Sequence, residues 1–527
     1  MKRTAKLLLF LIFLCSLLTG CNDKNDASPK DQEKVVTILF RGEVSHVEPV
    51  LEEFYRRSYD KLHLRLNIET IPPYTYSDEL ASRLNASEDA DLVFDAPWNG
   101  MSTQISNKMY MDLEKYFNND AYPNLKRAFP PEYLDANRFN GKLYGIPLTK
   151  RHLDVSGIYY RKDLLEQYKL GFNEITSQEE LQKYYDAVLA DSRDIYPFAS
   201  SKRGFFLTHR HSIDLMQNHV YPINGWTDTL FPGYIVLSPD ERKVEDVVFL
   251  GDDDARFSAL NTKYNYDFMK SEFRTLAQWN QYIHPDSMAL TNSKELFLSG
   301  QAASFESTIS SQSDLHDTLK AFIPNAECGF FPADELFNSS DLKPGAIPSN
   351  MDAWNYLCIP WYSKHADEAM SFLDWLFSSQ ENVDLFELGR EGYDWIASSD
   401  KEYLPLGNPT LKYSIPSYEL TWNPNFSRTP ASYSPKEKKL LEYTADLRSY
   451  RVSPLAGWTL DTKNIAVEVS RLTDLYSRYF TPFYEGLYGD DTDKYIEEFC
   501  RLSGEMGLET VRKEIKTQVQ NYLDKGF

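Results

Sequence analysis

The chain has 527 residues, enough for more than one hydrophobic core, and carries 78 acidic against 56 basic side chains, a formal net charge of −22. So acidic a surface repels the phosphates of nucleic acid and the headgroups of anionic lipid, which excludes both as direct binding partners. Aromatic residues make up 14% of the sequence, with 35 tyrosines and 9 tryptophans, which serve either core packing or the lining of a sugar or peptide cleft.

Lys2, Arg3 and Lys6 precede an apolar run from Leu7 to Leu18. About a dozen residues are too few to span a bilayer and suit the core of a signal peptide. The junction Leu18-Thr19-Gly20-Cys21 resembles the bacterial lipobox, in which the chain is cut before a cysteine that is then acylated on its thiol. Residues 1–20 therefore read as a signal peptide carrying three positive charges, which leaves about −25 on the rest. Cys21 reads as the lipidation site, and residues 21–34 as the lipidated N-terminus and a polar, flexible spacer. The expected location is the extracellular face of the cell membrane, held by the lipid alone. Cys15 leaves with the signal, and Cys328, Cys358 and Cys500 are too scattered for a disulfide framework. A single Cys328–Cys358 bridge and three buried thiols both stay open.

From Val35, VVTILF predicts a buried strand, and Val47, Val50, Leu51, Phe54 and Tyr55 then recur at helical spacing. Leu62, Leu64, Leu66 and Ile68 alternate with polar residues as a second strand; Leu80 and Leu84 mark a helix, and Asp91–Phe94 a third strand. This order predicts a largely parallel sheet, whose ligands bind beyond the carboxyl ends of its strands. Two loops stand there, one with Arg41 and Glu43, the other with Asp95 and Trp98. Gly141, Gly145 and Pro147 suggest a turn and an extended segment, followed by a strand over 155–160 and a helix over 162–170. Apolar stripes over 366–377 and 508–522 predict two further helices packed on a core.

In order and spacing these stretches resemble the family-1 extracellular solute-binding lipoproteins of bacterial ABC importers. The resemblance rests on the lipobox, the Asp91-Leu92-Val93 strand, GKLYGIP at 141–147 and YYRKDLL at 159–165. Further along it rests on LSGQAA at 298–303, HADEA at 365–369 running into FLDWLF at 372–377, GWTLD at 457–461 and GLYG at 486–489. The last two, with the 507–523 helix, are similar to a subgroup of long Gram-positive lipoproteins. Residues 200–290 fit least well. The resemblance implies an α/β, two-lobed periplasmic-binding-protein-like fold with crossovers near 148–152 and 325–335 and a cleft between the lobes. Lobe 1 would hold 35–148 and 332–390; lobe 2 would hold 149–331 and 391–527 with C-terminal helices. It further implies a monomer that passes a small-molecule solute, a neutral oligosaccharide, to an ABC permease.

Sugar recognition calls for flat apolar rings together with planar carboxylate, amide or guanidinium groups. The candidate ligand-binding residues are Arg41, Glu43, Asp95 and Trp98 past the strands, Arg151 near the hinge, Trp226, Glu306, Asp352, Trp354 and Tyr393. No catalytic residue, cofactor or metal is assigned. The sequence has no Gly-x-Ser-x-Gly elbow and no His-Glu-x-x-His motif. His209-Arg210-His211, Asp252-Asp253-Asp254 and Asp490-Asp491-Thr492-Asp493 read as surface loops, without the spacing of a calcium loop. The alternative is an exported carbohydrate-active enzyme, or a sensory partner lipoprotein on the same fold.

Overall fold

The computed structural model describes residues 33–525 apart from 140, 192–193, 201–211, 224–232, 253–255, 257–267, 286–292 and 408–411. The signal, Cys21, most of the spacer, Trp226 and the His209–His211 pair lie outside the described residues, as do Asp253 and Asp254.

The first body begins with β1 (Lys34–Arg41), α1 (Glu48–Leu62), β2 (Leu64–Ile71), α2 (Tyr76–Ala86), β3 (Leu92–Asp95) and, later, β4 (Ile146–Leu148). β1 pairs in parallel with β2 and β3. Val36 to Phe40 are buried without a break, as befits a strand covered on both faces.

The chain crosses at 149–155 into a second sheet. There β5 (Ser156–Arg161) lies between β9 (Ser304–Thr308) and β10 (Cys328–Pro332), antiparallel to both. Ile158 and Tyr160 enter one apolar cluster while Tyr159 between them enters another, so this sheet is packed on both sides. At Gly157 a Cβ would sit 2.3 Å from the Phe331 carbonyl oxygen, so only glycine fits there. Between β5 and β9 run α3 (Gln178–Leu189) and an antiparallel sheet of β6 (Val220–Pro222), β7 (Gly233–Leu237) and β8 (Val244–Phe249), then α4 (Phe268–Trp279).

The return comes later than the sequence suggests. Ala333, Phe337 and Ile347 still pack in the second body, and β11 (Ile347–Ser349) pairs in parallel with Tyr450–Val452. The first sheet regains the chain only at β12 (Asn355–Cys358), inserted antiparallel between β3 and β4. α5 (Ala366–Leu376) and α6 (Gln380–Leu388) follow, and Phe372, Trp375 and Phe386 close around Phe54 of α1 with ring centroids 5.0–5.6 Å apart.

Tyr413, Ile415 and Leu420 also belong to this first core. The assignment of 391–527 to the second body is therefore corrected: the chain stays on the first through Phe426 and crosses a third time before α7 (Pro435–Ala445). α8 (Ala466–Tyr484), α9 (Thr492–Glu505) and α10 (Leu508–Leu523) then cover the second core. They pack on the 200–290 stretch: Phe273 stacks on Phe483 at 4.4 Å, and buried Arg512 bonds the Asp252 carboxylate and the Val247 carbonyl. Cys328, Cys358 and Cys500 are not joined in a disulfide, and the first two lie in different bodies. Among the described residues no helix is long and apolar enough to cross a membrane.

Candidate functional site

β12 runs antiparallel to β3, with Tyr356 opposite Asp95, so the loop before β12 meets the loop after β3. Trp98 donates its indole N–H to the Trp354 backbone carbonyl at 2.9 Å, and the Arg41 guanidinium lies 5.3 Å from the Trp98 ring centroid. Rings continue from there: Trp98 to Phe94 at 5.7 Å, Phe94 to Tyr418 at 5.7 Å, Tyr418 to Trp422 at 6.2 Å. The Lys150 ammonium lies 6.0 Å from the Trp422 ring, where the first crossover begins. The result is a band of aromatic and cationic side chains at the carboxyl ends of β1 and β3.

At its Trp422 end the band opens into a polar pocket of about 130 Å³. The first body contributes Glu387, Ser417 and Trp422 among others, the second Ser310, Tyr433 and Leu441, and the crossover Lys150 and Arg151; Tyr403 and Arg428 also line it. Lys150 pairs with Glu387, whose other oxygen accepts the Thr421 hydroxyl at 3.1 Å. Arg428 pairs with buried Asp384 at 2.7 Å. Arg151 donates to the Ser310 hydroxyl.

Next along the crossover, buried His152 meets Tyr133 of the first body and Tyr450 of the second edge-on, at 5.3 and 5.4 Å. Burial pushes its pKa down to about 4, so the ring is neutral. Under the band, Glu419 is 0% exposed and accepts the Arg41 backbone N–H at 2.7 Å. Its other oxygen is buried without a hydrogen bond, and burial raises its pKa to about 8 against the pull of Arg41.

The structure brings Arg41, Trp98 and Trp354 together and puts Arg151 in the pocket. Asp352, two residues before Trp354, is accessible to solvent yet crowded by protein, which raises its carboxyl above the usual range. Asp95 is a correction. It is 0% exposed, and its carboxylate is taken by the Ala96 N–H, the Asn99 amide and the Tyr110 hydroxyl at 2.8, 3.0 and 2.5 Å. Burial raises its pKa to about 6. All of β3 is buried, so the carboxyl faces the core and not the cleft. Glu306 is likewise displaced: it lies on β9 opposite Ile158, and Ser310, four residues on, lines the pocket instead. Glu43 is exposed on the loop after Arg41 and does not line the pocket. Tyr393, 71% exposed, stacks under Arg390 at 4.6 Å and stands outside the pocket lining.

Tyr418, Glu419, Trp422, Lys150 and Glu387 are additions from the structure. The signal for the first three is the aromatic stretch SYELTW between Pro416 and Pro424. Among the described residues no group of three His, Cys, Asp or Glu side chains is placed to hold a metal.

A family model described as bacterial extracellular solute-binding protein matches residues 55–393, and one described as a domain of unknown function matches 454–524, the segment of α8 to α10. A carbohydrate ABC transporter substrate-binding protein of Streptococcus pneumoniae is 22% identical over 516 residues, 97% of this chain and 94% of its own length. Among solved structures, an N-glycan transport solute binding protein of S. pneumoniae has a TM-score of 0.71 at 19% identity, over 93% of this chain and 99% of that one. An HMO-binding solute binding protein of Bifidobacterium longum infantis has a TM-score of 0.57 at 15% identity, over 94% and 99%. At these identities the solved structures establish a shared two-lobed α/β fold.

Proposed function

The chain belongs to the family of bacterial extracellular solute-binding proteins, and on that premise we propose that it is the oligosaccharide receptor of an ABC importer. The observation that carries this reading is the run of rings from Trp98 past buried Phe94 to Tyr418 and Trp422, which ends in a polar pocket lined by both bodies. Rings stack on the C–H faces of sugars, and the neighbouring Arg, Lys, Glu, Ser and Tyr groups match their hydroxyls. A solute seated between the bodies favours the closed arrangement, which is the form a permease can distinguish from the empty one. The names of the carbohydrate-binding relatives support the choice of sugar. Acylation at Cys21 would hold the receptor at the outer face of the membrane.

No catalytic step is assigned. Asp95, the carboxyl group that follows Phe94, is buried and accepts three hydrogen bonds, so it has no path to a glycosidic oxygen. The test is thermal unfolding of the purified protein with a panel of oligosaccharides, together with chromatography of the recovered glycan. A true solute should add about 2.7 kcal/mol of stability at a hundredfold excess over its dissociation constant and be recovered uncut. Stability indifferent to every oligosaccharide, or cleavage of the bound one, would overturn the reading.

A further inference from the structure

Arg151 differs from the other cations of the interbody pocket. Lys150 has Glu387, and Arg428 has Asp384 together with the carbonyls of Ser399 and Asp400 at 3.1 Å each. Arg151 donates one N–H to the neutral Ser310 hydroxyl, its Nε is buried without an acceptor, and among the described residues it has no ion-pair partner. The carboxylate of Asp154, three residues on, accepts the Ser310 backbone N–H at 3.3 Å instead. The pocket's surplus charge is thus one partly buried guanidinium, in a chain whose net charge is −22.

Keeping a guanidinium from water without a counter-ion is unfavourable, and a buried donor without an acceptor adds to the cost. A sugar hydroxyl would satisfy the donor and leave the charge. A carboxylate would satisfy both, since its two oxygens match the guanidinium fork. At about 130 Å³ the pocket is close in size to a cavity that takes one benzene, so a single sugar unit would carry that carboxylate in while the rest of the chain stays outside.

We propose that Arg151 forms a subsite for a carboxylate-bearing sugar unit, so that the preferred solute is an acidic oligosaccharide. This departs from the neutral solute expected from sequence, and it rests on the oligosaccharide reading above.

The test uses a glycan array of matched pairs that differ only in a C6 hydroxymethyl or a C6 carboxylate on one unit. Calorimetry on the retained pairs follows, with wild type, Arg151→Lys and Arg151→Met. In the wild type the acid member should bind about tenfold or more tightly than its neutral partner, the margin of one charge-assisted bond over a neutral one. Arg151→Met should erase that gap, the acid member losing at least about tenfold more affinity than the neutral one, and Arg151→Lys should keep part of the gap. The wild-type comparison does not depend on any variant folding. Equal binding within the pairs, or a gap that survives Arg151→Met, would overturn the inference and leave the oligosaccharide reading standing. Retention of no glycan of either kind would remove both.

Discussion

The indole N–H of Trp98 is bonded to the backbone carbonyl of Trp354, across 256 residues of sequence. Two loops from separate segments of the first body are thereby fixed as one surface, and the two rings take different risks in holding it. Trp354 is 51% exposed, whereas Trp98 is partly covered by Phe94 and the Arg41 guanidinium.

Trp354→Ala should therefore change unfolding stability by no more than about 0.5 kcal/mol, as exposed substitutions do. The same variant should weaken oligosaccharide binding about tenfold or more, the loss of one stacked ring. Calorimetry beside a denaturant melt separates the two effects. Unchanged affinity would remove the ring band from the binding site.

Asp95→Ala should act on folding. It leaves the Tyr110 hydroxyl, the Asn99 amide and the Ala96 N–H without their acceptor, at a cost of about 3 kcal/mol in urea unfolding. A variant as stable as wild type would contradict the buried network.

Glu419 makes stability fall with rising pH. Its pKa of about 8 in the folded protein exceeds the ordinary 4.5, so between those values the unfolded chain has lost a proton that the folded one keeps. Folding is therefore progressively disfavoured from about pH 4.5 up to about pH 8. Glu419→Gln, which has no proton to lose, should match wild type near pH 5 and exceed it by on the order of 3 kcal/mol at pH 8. Parallel pH profiles for both proteins would show that Glu419 titrates normally.

The ion pair of Lys150 and Glu387 has side chains each 11% exposed and joins the first crossover to the end of α6. Lys150→Met should cost about 3 kcal/mol by stranding the carboxylate, and Lys150→Met with Glu387→Leu should cost less than that single change. A double-mutant cycle with no coupling would refute the pairing.

Much of the first body was legible because its signals are local. VVTILF is β1 and the 366–377 stripe is α5, placed by period and by continuous apolar runs. The same property hid the orientation of Asp95: when both faces of a strand are covered, alternation vanishes and position past the strand does not say which way a carboxyl turns. The Lys150–Glu387 pair spans 237 residues, and Trp422 reaches the band through a segment that returns to the first core after β12. Such contacts are set by tertiary packing and leave no periodic trace.

β1 carries the chain from Lys34 to Arg41, so the segment upstream enters at one end of the sheet and the rings stand at the other. Eight residues at about 3.3 Å each make that separation on the order of 25 Å. The amino end of β1 and the ring band therefore lie at opposite ends of the first sheet, and a tether at Cys21 of the kind proposed would leave the rings facing away from it.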